Sequence, residues 1–108
     1  MFIMLVVIRI AYYIVRMIES FKDKATETLW MTGKSKQFGS FKKVALRKLD
    51  MLQAAVKLDD LRSPPANHLE ALKADRKGQH SIRINDQFRI CFVWTATGPA
   101  DVEITDYH

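Results

Sequence analysis

Apolar residues return along this chain with two different periods, and the change of period divides it into a helical half and an extended half. Phe41, Val44, Ala45, Leu49, Leu52, Ala55 and Val56 recur at helical spacing, while Lys42, Lys43, Arg47, Lys48 and Asp50 mostly fall elsewhere on the wheel. This predicts a helix capped by Ser40 and running to about Leu58. An earlier helix is expected from Asp23, placed as an N-cap, to about Met31, with Gly33 as its stop, and residues 18–21 before it read as a short strand. The prolines in residues 62–67 exclude helix there, because each restricts the residue before it and removes a donor. Beyond Leu69 the period becomes two. Ile82 and Ile84 alternate with Ser81 and Arg83, and Phe88, Ile90, Phe92 and Trp94 alternate with Arg89, Cys91 and Val93. After the turn signal Gly98-Pro99, Val102 and Ile104 mark the core face of a third strand.

The hairpin register decides which residues share the outer face. A two-residue turn at Asn85-Asp86 would set Arg89 among the isoleucines. A three-residue loop, Asn85 to Gln87, pairs Ile84 with Phe88 and Ile82 with Ile90, and burial favours it. Arg83 then lies opposite Arg89 on the face away from the core, and period two adds Tyr107 to that face. Like charges across a ladder repel, so an anion over the two arginines would reconcile them. The same residues also read as a solvated sheet surface with a half-buried tyrosine.

Length and charge narrow the partners. The 108 residues make one domain with a modest core, and the net charge of +5 favours anionic partners such as nucleic acid. One cysteine, Cys91, excludes an internal disulfide and fits a reducing cytoplasm, and His68 and His80 lack metal-spaced partners. Residues 1–16 are nearly all apolar, yet Arg9 interrupts them, so they suit neither a membrane span nor a secretory signal. They read as an upstream extension, with the natural domain beginning at Met17.

Three segments carry a family resemblance: Leu69-Glu70-Ala71-Leu72-Lys73-Ala74-Asp75-Arg76-Lys77-Gly78, then Ser81-Ile82-Arg83-Ile84-Asn85-Asp86-Gln87-Phe88-Arg89-Ile90-Cys91-Phe92, and the terminal Glu103-Ile104-Thr105-Asp106-Tyr107-His108. Residues 17–108 resemble the HigB toxins of type II toxin–antitoxin systems, within the RelE/ParE superfamily. The resemblance implies an α+β fold, two N-terminal helices packed on one face of a small antiparallel sheet with the active surface on the other. It implies a ribosome-dependent endoribonuclease that cuts translated messenger RNA in the A site by attack of the 2′-hydroxyl, with no metal or cofactor. By similarity, Lys73 and Arg89 would hold the scissile phosphate, and Asp106, Tyr107 and His108 would orient the nucleotide and move protons. Glu70, Arg76, Lys77 and Arg83 would be RNA or ribosome contacts. Glu70 stands where several family members carry histidine, Ala74 where glycine is usual, and Phe88 where tryptophan is usual. The implied partners are a HigA-like helix-turn-helix antitoxin, the 70S ribosome with its message, and operator DNA through the antitoxin complex only, all in the cytoplasm. Relatives in the ParE branch poison DNA gyrase instead, and a catalytically weak antitoxin-binding module is a third reading. Lys73, Arg89 and the terminal triplet favour the nuclease.

Overall fold

The computed structural model describes residues 17–107; the expectations for residues 1–16 and for His108 lie outside the described residues. Helix α1 (Lys24–Thr32) starts and stops as its sequence dictates. Asp23 is extended, with φ −135° and ψ 156°, and its carboxylate accepts the Thr26 N–H at 3.0 Å. Gly33 takes φ +72° and returns its N–H to the Leu29 carbonyl, a left-handed conformation that costs most other residues about 1–2 kcal/mol.

Helix α2 (Lys42–Ala54) differs from its expected bounds at both ends. Ser40 lies inside a 3₁₀ turn, Gly39–Phe41, and makes no side-chain cap. At the other end Ala55 is extended, and the Asp60 carboxylate takes the Val56 and Lys57 N–H groups at 3.0 and 3.1 Å. Those bonds draw the backbone out of the helix before Leu58, and Val56 is 67% exposed instead of in the core. Lys48 also departs from its expected polar face. It is buried and donates to Asn67 Oδ1 at 2.5 Å, while Asn67 Nδ2 donates to the Leu61 and Ser63 carbonyls at 3.1 and 3.4 Å. Burial, followed by the charges of Arg47 and Arg83, pulls the Lys48 ammonium below its ordinary pKa. The proline segment is not wholly irregular either. Pro65–Asn67 form one 3₁₀ turn with proline first, where a missing N–H is harmless.

The four strands β1 (Glu70–Ala71), β2 (His80–Arg83), β3 (Arg89–Trp94) and β4 (Pro99–Thr105) form one sheet in sequence order, with every pair antiparallel. Strand β1 was not anticipated, since two exposed residues carry no periodic signal. The hairpin has the expected register, Ile82 opposite Ile90 and Arg83 opposite Arg89. Asn85 Oδ1 holds its loop by accepting the Gln87 and Phe88 N–H groups at 2.9 and 2.7 Å. On the core face Ile82, Ile90, Val102 and Ile104 pack against Leu29 of α1 and Ala45, Leu49 and Leu52 of α2. Phe88 stacks on Phe41, ring centroids 4.7 Å apart.

Residues 18–21 form no extended strand; Phe21 makes a single parallel bridge to Val102. Hydrogen bonds from Glu19 to Pro99, from Lys22 to Val102 and from Val102 to Ser20, at 2.7, 3.0 and 3.0 Å, tie this segment along β4. Gly98 permits the approach, because a Cβ there would sit 1.9 Å from the Met17 carbonyl oxygen. The helices cover one side of the sheet, and its other side carries the polar cluster described next.

Candidate functional site

Period two delivers Ser81 from β2, Arg89 and Cys91 from β3 and Glu103 from β4 to the outer face, and Tyr107 follows β4 there. Ser81 is fully buried at the centre of the cluster. Arg89 Nε donates to Ser81 Oγ at 2.8 Å, Tyr107 Oη lies 3.1 Å from the same oxygen, and Tyr107 donates to Glu70 Oε1 at 2.5 Å. The phenol has one hydrogen, and Glu70 receives it, so Ser81 donates to Tyr107. A directional chain results, from guanidinium to serine to tyrosine to carboxylate, in which each bond polarises the next. Burial raises the Tyr107 pKa most and the bond to Glu70 raises it further, while the Ser81 bond works the other way. Tyr107 is therefore a neutral phenol, a donor, at physiological pH.

Arg89 is anchored on two sides. Its Nη2 donates to the His68 carbonyl at 2.5 Å and to the Ser81 carbonyl at 3.5 Å, and Nε lies 3.8 Å from Glu70. His68 presents that carbonyl from a left-handed conformation, φ +45°. Residue 67, immediately before it, is the asparagine held by Lys48, so the buried pair fixes the loop that orients the guanidinium. Arg76 closes the cluster from the side. Its Nη1 donates to Glu103 and Gln79 at 3.2 and 3.1 Å, and its guanidinium carbon lies 5.5 Å from the Tyr107 ring centroid. Cys91 is fully buried on this face. Burial pushes its thiol up to about 11 despite the nearby Arg76 charge.

The structure thus unites Arg89, Tyr107, Glu70 and Arg76 and separates other expected site residues from them. Arg83 turns to Asp86 within the hairpin. Each of the two facing arginines has its own carboxylate, so no bound anion is needed to reconcile them. Asp106 accepts from Gln87 Nε2 at 3.1 Å at the hairpin end. Lys73 and Lys77 are exposed on the segment between β1 and β2, flanking the 3₁₀ turn Ala74–Arg76. Ser81, Glu103 and the His68 carbonyl are members of the cluster that the sequence pattern did not single out. Period two places the first two beside Arg89 and Arg76, whereas the His68 carbonyl has no local signal.

Two helices on one face of a four-stranded antiparallel sheet, with a polar cluster on the other, define a RelE-like fold. Its arrangement resembles a chain of the YoeB–YefM complex from Staphylococcus aureus, with a TM-score of 0.50 and 19% identity over 84% of this chain and 97% of that one. The family follows from sequence. Residues 19–108 match the family model of the RelE-like toxin of type II toxin–antitoxin systems, HigB. Over 76 residues the chain is 41% identical to Toxin HigB-1 of Vibrio cholerae serotype O1, covering 68% of this chain and 80% of that protein. It is 42% identical over 76 residues to an uncharacterized protein of Haemophilus influenzae, covering 68% of this chain and 75% of the other. The chain belongs to the HigB-like family of RelE-like type II toxins. Among the described residues, no helix is long and apolar enough to cross a membrane.

Proposed function

We propose that this toxin is a metal-independent endoribonuclease that enters the ribosomal A site and cuts the message being translated. The observation that carries this reading is the hydrogen-bonded chain Arg89–Ser81–Tyr107–Glu70 on the free face of the sheet. In it a fixed guanidinium, a neutral phenol and a carboxylate stand within reach of one phosphodiester.

Glu70 takes the proton of the ribose 2′-hydroxyl as O2′ bonds to phosphorus. This gives a carboxylate the place that histidine has in several relatives. Arg89, with Lys73 brought to the same phosphate, neutralises the charge gathering on the non-bridging oxygens, and the Tyr107 phenol, released as Glu70 turns to the 2′-hydroxyl, swings its one hydrogen from Glu70 to one of them. The P–O5′ bond breaks, and the 5′-oxygen leaves with a proton from His108, whose ordinary pKa lies nearest neutrality. The products are a 2′,3′-cyclic phosphate and a 5′-hydroxyl. Asp106 orients the nucleotide, and Arg76, Lys77 and Arg83 contact RNA or ribosome. A HigA-like helix-turn-helix antitoxin neutralises the toxin in the cytoplasm, and only that complex engages operator DNA.

The catalytic domain is residues 17–108, with residues 1–16 a dispensable extension. Induction of residues 17–108 should arrest growth, and the purified protein should cut message on programmed ribosomes. Intact message together with inhibited supercoiling by gyrase would overturn the nuclease reading. Growth arrest that needs residues 1–16 would overturn the domain boundary.

A further inference from the structure

The sheet register sets Ser81 between Glu70 on β1 and Cys91 on β3, in the middle of the polar face with a strand on either side. It is fully buried, so its hydrogen bonds are completed by protein groups and not by bulk water. Among the described residues its hydroxyl meets two partners, Arg89 Nε at 2.8 Å and Tyr107 Oη at 3.1 Å. A serine hydroxyl has one hydrogen to give, and a guanidinium has donors but no acceptor. The Ser81 hydrogen therefore goes to the Tyr107 oxygen, whatever Glu70 is doing.

Two consequences follow for the reacting groups. The phenol cannot turn its own hydrogen back to Ser81 without stranding a buried donor, so that hydrogen points away from the strand, and at rest it goes to Glu70. The bonds of Arg89 all leave from Nε and Nη2, to Ser81 and the His68 carbonyl. Nη1 is the corner of the guanidinium that makes no hydrogen bond among the described residues, and it is the one left to meet a phosphate oxygen.

On the nuclease reading, we propose that Ser81 is a positioning residue: its hydroxyl holds the Nε edge of Arg89 and keeps the Tyr107 hydrogen turned outward, to Glu70 at rest and to the phosphate once Glu70 takes the 2′-hydroxyl proton. Ser81 itself exchanges no proton with RNA. It acts through the two side chains that do the electrostatic work.

Single-turnover cleavage on programmed ribosomes, followed over a range of ribosome concentrations, tests this with Ser81→Ala and with the nearly isosteric Ser81→Cys. The second is kept under reducing conditions because Cys91 lies opposite. Both variants should lower the saturated rate about tenfold or more, as when a charge-assisted bond that aims a group is lost, and leave the half-saturating ribosome concentration unchanged. A side chain that merely fills space would let Ser81→Cys cleave like wild type, and that result overturns the proposal. So does a loss confined to half-saturation, which would make Ser81 a binding residue. In a Tyr107→Phe background Ser81→Ala should cost less than it does alone, because part of its effect passes through the phenol; an equal cost overturns the link to Tyr107.

A measurement without RNA separates the positioning role from the nuclease reading. The Ser81 bond lowers the Tyr107 pKa, so without the hydroxyl the phenol should titrate at higher pH. NMR of ¹³C-labelled tyrosine in the full chain follows this, with the Tyr107 signal assigned by its loss in Tyr107→Phe. Message left whole by the wild-type chain defeats the nuclease reading, whereas a Tyr107 titration unmoved in both Ser81 variants defeats the positioning role whatever the cleavage.

Discussion

Arg89→Lys separates an oriented fork from a bare positive charge. The guanidinium reaches Ser81 Oγ through Nε at 2.8 Å and the His68 carbonyl through Nη2 at 2.5 Å. The Arg89 side chain is only 16% exposed. A single ammonium on a flexible stem cannot keep both directions. The substitution therefore retains the charge and loses at least one charge-assisted bond, worth about 1.5–3 kcal/mol. If that bond aims the cation at the scissile phosphate, the transition state loses a comparable amount, and the cleavage rate falls about tenfold to a hundredfold. Single-turnover cleavage of message on programmed ribosomes measures the rate, and urea unfolding of the same samples measures stability. A lysine variant that cleaves at the wild-type rate, whatever its stability, would refute the idea that a positioned fork does the chemistry.

Tyr107→Phe removes the donor to Glu70 and the acceptor of Ser81 while keeping the ring beside Arg76. Single-turnover cleavage should slow about tenfold or more, as for loss of one transition-state donor, and an undiminished rate would remove Tyr107 from the mechanism. Cys91 predicts a pH effect on stability. Its folded pKa is raised from 9.0 to about 11, so the stabilisation from the buried neutral thiol is complete below pH 9 and fades as pH rises through about 11. Unfolding measured at several pH values should show the advantage over Cys91→Ala shrinking by about 3 kcal/mol across that window, and parallel profiles would contradict it. Lys48→Met leaves Asn67 Oδ1 buried without its lysine donor. It should cost about 1–3 kcal/mol in urea unfolding and lower cleavage through the loop that carries His68; a variant as stable as wild type would show that the pair holds nothing.

The sheet was legible in the sequence because its information is local and repeated. Alternation around Ile82 and Ile90 and a loop of fixed length leave one register that buries the isoleucines, and that register sets Arg83 opposite Arg89. The caps of α1 were equally legible, since Asp23 and Gly33 act within a turn of themselves. The misreadings share a different cause, a partner distant in sequence or unmarked by pattern. The apolar spacing of α2 continues through Ala55 and Val56, but Asp60 captures the backbone and ends the helix. A helical wheel assigns Lys48 to the surface because it cannot see Asn67, whose amide replaces water around the ammonium. Arg89 was placed on the correct face, yet its orientation depends on a backbone carbonyl in a loop folded against it. Glu70 and Tyr107, far apart in the chain, meet because β1 pairs with β2, and β1 is too short to announce itself.

On the proposed reading, the Arg89–Ser81–Tyr107–Glu70 face cleaves messenger RNA on the ribosome. Mapping the 5′ ends of transcripts after brief induction of the wild-type chain and of Arg89→Lys, with and without a block on translation initiation, tests it most directly. New 5′-hydroxyl ends should appear inside translated reading frames, fewer of them with the variant and none under the block. Transcripts that stay whole while growth stops, or cuts that persist without translation, would contradict it.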